Sequence, residues 1–126
     1  MASTALSNRR ILIVEDEFLL AEELAEGLMQ AGATILGPVP TIAGAFNLIA
    51  RQGAPSGAVL DVNLSGVAVY PLADALIELG IPLVFTTGYD PGALPRRFAT
   101  VPRCDKPFNL PVVVTTMAAA LDNTAG

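Results

Sequence analysis

Three carboxylates, a hydroxyl and an ammonium group command attention because each lies at the end of a candidate strand. Glu15 and Asp16 close the run ILIV at 11–14, Asp61 closes AVL at 58–60, Thr87 follows LVFT at 83–86, and Lys106 follows the stretch 101–104. If those runs are neighbouring strands, their ends deliver Glu15, Asp16, Asp61, Thr87 and Lys106 to one small area. Carboxylates cannot gather there bare, because two unit charges about 5 Å apart repel by about 3 kcal/mol at an effective dielectric near 20. Either a proton or a cation must enter. Mg²⁺ suits such a set, since it takes hard oxygen ligands, one or two carboxylates and several waters. It would also shield Asp61 from a negative phosphoryl donor. Phosphoryl transfer asks mainly for positioning and charge neutralisation. Lys106 would then serve as a point charge on one phosphoryl oxygen, and the Thr87 hydroxyl would hydrogen-bond to another. Taken singly, each residue has an ordinary reading: a charged helix start, a turn carboxylate, a strand-end hydroxyl, a surface lysine. Their joint order is what carries the chemical reading.

The elements that must position them can be read from the apolar pattern. Ile11–Val14 is a continuous β-branched run, the mark of a strand buried on both faces. A helix is predicted over Phe18–Ala31, with Leu20, Leu24 and Leu28 inward and Glu22, Glu23 and Glu26 outward, stopped by Gly32. A short second strand, Thr34–Leu36, should end at Gly37-Pro38. Thr41 can cap a helix over Ile42–Arg51 with Phe46 and Ile49 facing inward. Ala58–Leu60 is the third strand, Val69–Leu79 a helix carrying Leu72, Leu76 and Leu79, and Leu83–Thr86 the fourth strand. The stretch Tyr89–Thr100 holds Pro91, Gly92 and Pro95, so at most a short or frayed helix is expected there. Val101–Cys104 should be the fifth strand, at a sheet edge because Pro102 cannot donate to a ladder. Cys104 belongs to its core side. A last helix covers Leu110–Leu121, with Leu110, Val113, Val114 and Met117 turned to the core. Strands alternating with helices imply right-handed βαβ units. The expected fold is α/β: a doubly wound, five-stranded parallel sheet of order 2-1-3-4-5, with a short or irregular fourth helix. In that order ligands bind beyond the carboxyl ends of strands one and three.

The 126 residues suffice for one domain, read as 9–121 between loose tails at 1–8 and 122–126. A composition 52% hydrophobic and 15% charged supports a sizeable core. The net charge of −5 repels a phosphate backbone, so nucleic acid is not an expected partner. No run reaches the length of a membrane span, and nothing at the start resembles a signal peptide. The lone Cys104 cannot form an internal disulfide, which suits a reducing cytoplasm. The absence of histidine removes Ser-His-Asp and Cys-His catalysis. It also means that any phosphohistidine involved must come from another molecule.

The segments ILIVEDE at 11–17, VLDVNL at 59–64, PLVFTTG at 82–88 and DKPF at 105–108 together resemble those of the response-regulator receiver family. The resemblance spans about Arg10 to Leu121. It implies that Asp61 is the phosphoacceptor, that Asp16 ligates Mg²⁺ directly and Glu15 mainly through water, and that the backbone carbonyl of Asn63 is a further ligand. It makes Thr87 the switch hydroxyl, Lys106 the phosphate-binding lysine and Lys106–Pro107 a cis bond. FTTGY at 85–89 is similar to the motif of the "FAT GUY" receiver subgroup, with Thr86 in place of Ala. Where many receivers carry an aromatic switch residue three positions before the lysine, this chain has Arg103; Tyr89 is a candidate substitute. The implied function is that of a single-domain response regulator, phosphorylated by a histidine kinase or phosphotransfer protein. It would signal to a downstream protein or drain phosphate, with a homodimer conceivable through the last helix and fifth strand. The alternative is a pseudo-receiver that signals by binding alone. A dehalogenase-type phosphatase is disfavoured, because the position two residues after Asp61 holds Asn63 and not a second acid.

Overall fold

In the computed structural model of the chain, residues 4–88 and 94–125 are described. The run ILIV lies within β1 (Arg10–Val14), which pairs in parallel with β2 (Thr34–Val39) on one side and β3 (Gly57–Asp61) on the other. β6 (Leu83–Thr87) joins β3, and β7 (Arg103–Asp105) closes the far edge. The sheet order is β2-β1-β3-β6-β7, which is 2-1-3-4-5 when only these five strands are counted. The flavodoxin-like fold expected from the sequence is the one observed.

Side chains on successive strand residues point to opposite faces, and this sorts the interior into two cores. Leu12, Val14, Leu60 and Phe85 pack under α2 (Ile42–Gln52) and α3 (Tyr70–Glu78). Ile11, Ile13, Val59 and Val84 pack under α1 (Phe18–Gln30) and α4 (Leu110–Ala125). Thr41 caps α2 by accepting the Gly44 N–H at 3.0 Å, as its position predicts. Val113 and Met117 of α4 are fully buried, and Cys104 is buried against them.

Several boundaries differ from the sequence reading. β2 does not stop at Leu36. It continues through Gly37 and Pro38 to Val39, with a register shift between Leu12 and Val14. An edge strand tolerates a proline because its outer side needs no donor. Pro102 lies before β7 rather than inside it, although its carbonyl accepts the Phe85 N–H at 2.9 Å. Phe46 and Leu79, expected inside, are 42% and 63% exposed. Leu79 is the residue that ends α3, beyond the last buried turn. The expected loose tails are partly packed: Leu6 is fully buried, its N–H bonded to the Ala31 carbonyl at 2.8 Å, and α4 runs on to Ala125. Among the described residues between β6 and β7, the helical element is a 3₁₀ turn, Arg96–Phe98. Tyr89, Pro91 and Gly92 lie outside the described residues.

Two short strands not foreseen, β4 (Asn63–Leu64) and β5 (Val67–Ala68), form an antiparallel hairpin directly after Asp61. Its two-residue turn is Ser65-Gly66, with φ of 52° and 89°. Two central residues with positive φ match the twist of the flanking strands, as in a type I′ turn.

Candidate functional site

The carboxyl ends of β1, β3, β6 and β7 meet as the doubly wound order requires. Glu15 and Asp61 are 2% and 5% exposed, and Thr87 is buried with them. One lysine binds two of the acids: Lys106 Nζ lies 2.9 Å from Glu15 Oε1 and 3.0 Å from Asp61 Oδ2. The second oxygen of each acid takes a backbone donor. The Asn63 N–H donates to Asp61 Oδ1, and the Glu17 N–H to Glu15 Oε2, both at 3.1 Å. Asp16 Oδ2 accepts the Ser65 hydroxyl. Asn63 turns its own side chain the other way, where Oδ1 accepts the Gly66 N–H at 2.7 Å and closes the hairpin turn. Lys106 is carried into place by its N–H, which donates to the Thr87 carbonyl at 2.8 Å and ties the exit of β7 to the end of β6. The following bond, Lys106–Pro107, is cis, as expected. Thr86, fully buried beside Asp61 in register, has a hydroxyl without a hydrogen-bond partner among the described residues.

Glu15, Asp16, Asp61, Asn63 and Lys106 line an open cleft of about 670 Å³, together with Glu17, Ser65, Gly66 and Gly88. Glu15, Asp16 and Asp61 each offer an oxygen, and the three atoms lie within 4.8 Å of one another. Three carboxyl groups share one ammonium, which leaves negative charge in excess even when one of the acids is protonated. Burial pushes the Glu15 carboxyl up to about 7, the Lys106 contact pulling the other way. The Ser65 hydroxyl holds Asp16 below the usual carboxylate range. Burial works against the charge on Lys106, yet its contacts with Glu15 and Asp61 outweigh it and raise its pKa. An all-oxygen donor set, negatively charged and partly desolvated, fits a hard divalent cation such as Mg²⁺.

A pH dependence follows for the metal-free protein. The folded state binds the Glu15 proton up to about pH 7, the unfolded chain only to about 4.5. Stability from this group is therefore complete below 4.5 and lost as pH rises through 7. The other shifted groups act outside this window. Asp16 and Asp74 lose their contributions only below 3.8, and Cys104, Lys106 and Arg97 change at or above 9.0. Melting curves in EDTA should therefore show Tm falling between pH 5 and 7.5, with Glu15→Gln giving a flatter profile. Equal slopes in the two proteins would refute it.

The sequence singled out Glu15, Asp16, Asp61, Asn63, Thr87 and Lys106, and they do sit together at one end of the sheet. Asp16 and Asn63 are half-buried, and Arg103 is exposed on the edge strand. Ser65 escaped attention. The Ser-Gly pair was a turn signal, but its hydroxyl reaches a residue 49 positions away.

No protein-family model matches the chain, and no curated protein does. Solved structures do. SdrG from Sphingomonas melonis Fr1 is 41% identical with a TM-score of 0.77, over 93% of this chain and 97% of that one. The receiver domain of the Erythrobacter litoralis PhyR response regulator is 28% identical with a TM-score of 0.77, over 94% and 93%. The response regulator PhyR from Brucella abortus is 24% identical with a TM-score of 0.80 over 93% of this chain. The chain spans about half the length of that Brucella protein.

Proposed function

The chain belongs to the response-regulator receiver family, and from that premise we propose that it is a phosphoacceptor of a two-component phosphorelay, modified on Asp61. The observation that carries this reading is the setting of Asp61. It is buried at the centre of the cleft, one oxygen fixed by the Asn63 N–H and the other by Lys106, with two further acids within 4.8 Å. A carboxylate so held can attack phosphorus in line, and little else is required of the protein.

Glu15, Asp16, Asp61 and the backbone carbonyl of Asn63 would hold Mg²⁺. When bound, the ion supplies neutralisation of the phosphoryl oxygens and of the acidic cluster. The Asp61 oxygen forms the new bond to phosphorus as the bond to the donor's imidazole nitrogen breaks, and the imidazole leaves to take up a proton. Lys106 exchanges its contact with the Asp61 carboxylate for a phosphoryl oxygen, and the Thr87 hydroxyl donates to another. The donor is a histidine kinase or phosphotransfer protein, because this chain has no histidine of its own. The output is a phosphorylation-dependent protein contact or simple drainage of phosphate, and the setting is the cytoplasm. Among the described residues no helix is long and apolar enough to cross a membrane. The FTTGY segment supports membership of the FAT GUY subgroup, with Thr86 as its variation.

Acetyl phosphate tests the reading without a cognate donor. In the presence of Mg²⁺ the protein should gain one base-labile phosphoryl group, and EDTA should prevent it, as read by intact mass. Lack of any gain, with Mg²⁺ bound, would leave a pseudo-receiver.

A further inference from the structure

The hairpin turn after Asp61 contains an anomaly of residue choice. Both of its central positions have positive φ, a region that Gly, Asn and Asp enter readily and other residues avoid. Gly66 fits that demand, but the other position, at φ 52°, is a serine. A residue kept against its backbone preference points to a use for its side chain. Here the use is visible: the Ser65 hydroxyl donates to Asp16 Oδ2 across the mouth of the acidic cleft. The same two residues also line a smaller hollow of about 440 Å³ with Pro40, Thr41, Ile42, Leu64 and Val67. The linked pair Ser65–Asp16 thus lines both cavities.

We propose that Ser65 is a positioning residue for the metal: its hydroxyl keeps the Asp16 carboxylate turned into the acidic cleft, ready to coordinate. This rests on the reading of the cleft as a Mg²⁺ site. One oxygen of a carboxylate can accept this hydrogen bond while lone pairs remain for an ion. Partners of this kind typically contribute 10–100-fold to metal affinity.

The test is a Mg²⁺ titration of the full chain, followed by amide NMR shifts, with the metal-free Tm measured beside it. Ser65→Gly removes the hydroxyl and relaxes the turn. It should leave the metal-free Tm unchanged or higher while weakening Mg²⁺ about tenfold. Ser65→Asn keeps a donor and tolerates positive φ, so it should recover most of the lost affinity. A purely structural role predicts the opposite ordering, with stability and affinity falling together in both variants, and that result overturns the proposal. So does Mg²⁺ affinity in Ser65→Gly equal to or tighter than wild type, provided wild type binds and Asp16→Asn does not. Wild type that binds no Mg²⁺ removes the metal reading itself, and the role of Ser65 with it.

Discussion

Asp61→Asn should take up no phosphoryl group from acetyl phosphate, whatever the Mg²⁺ concentration or incubation time. The new bond to phosphorus must come from an anionic oxygen as acetate departs, and a carboxamide oxygen is not a competent nucleophile. The loss should be total rather than fractional, because no second acid is set as Asp61 is. Glu15 is buried behind Lys106 with its outer oxygen bound to the Glu17 N–H, and Asp16 is held by Ser65. The variant should nevertheless fold. An amide turned with its oxygen toward Lys106 keeps that contact and faces its NH₂ toward the Asn63 N–H, losing a hydrogen bond of about 1 kcal/mol. Removing one of three neighbouring negative charges offsets this by a comparable amount. Intact mass spectrometry and a melting curve on the same sample separate the two effects. A base-labile adduct on the Asn variant would place the acceptor elsewhere in the cleft and end the assignment to Asp61.

The sheet and the convergence of its acids were legible because both are periodic or terminal features of strands. A β-branched run such as ILIV has only one comfortable setting, the centre of a parallel sheet, and it drags Glu15 and Asp16 to the carboxyl edge with it. The same logic delivers Asp61 and Thr87, which close the apolar strands β3 and β6, while Lys106 follows the short, more polar edge strand β7. What could not be read was whatever depends on one long-range partner. Nothing near Leu6 shows that the Ala31 carbonyl will receive its N–H. Phe46 and Leu79 carry core-type side chains at helical spacing, yet α2 turns Phe46 outward and α3 ends just before Leu79. In the described part of the segment between β6 and β7, residues 94–102, the helical element is the short 3₁₀ turn at Arg96–Phe98. Pro95 suits so short an element, but it does not reveal what holds this part of the chain down.

That anchor is Phe98, and the second large effect is expected there. Its ring is almost fully buried, edge-on to Phe85 with centroids 5.5 Å apart and stacked on Tyr70 at 5.2 Å. The Arg97 guanidinium lies 4.5 Å above the same ring and binds Asp74 at 2.9 and 3.0 Å. That ion pair is exposed and adds little, so the ring must carry the attachment. Three residues of 3₁₀ turn cannot stand on their own hydrogen bonds, which among the described residues include those from the Phe98, Ala99 and Val101 N–H groups. Phe98→Ala should therefore cost about 3–5 kcal/mol in urea unfolding. It should also release the segment: the Ala99 and Val101 amides should lose hydrogen-exchange protection well before those of β3. Phe98→Leu, which keeps most of the volume, should cost under about 1.5 kcal/mol and retain that protection. The consequence reaches the site, because Phe85 lies two residues before Thr87 on β6 and the segment leads directly into β7 and Lys106. Loosening it should slow phosphoryl uptake while leaving Mg²⁺ affinity near wild type, since none of the acids is carried by this segment. An Ala variant that unfolds at wild-type urea concentration would show that the aromatic cluster is not what holds the chain between β6 and β7.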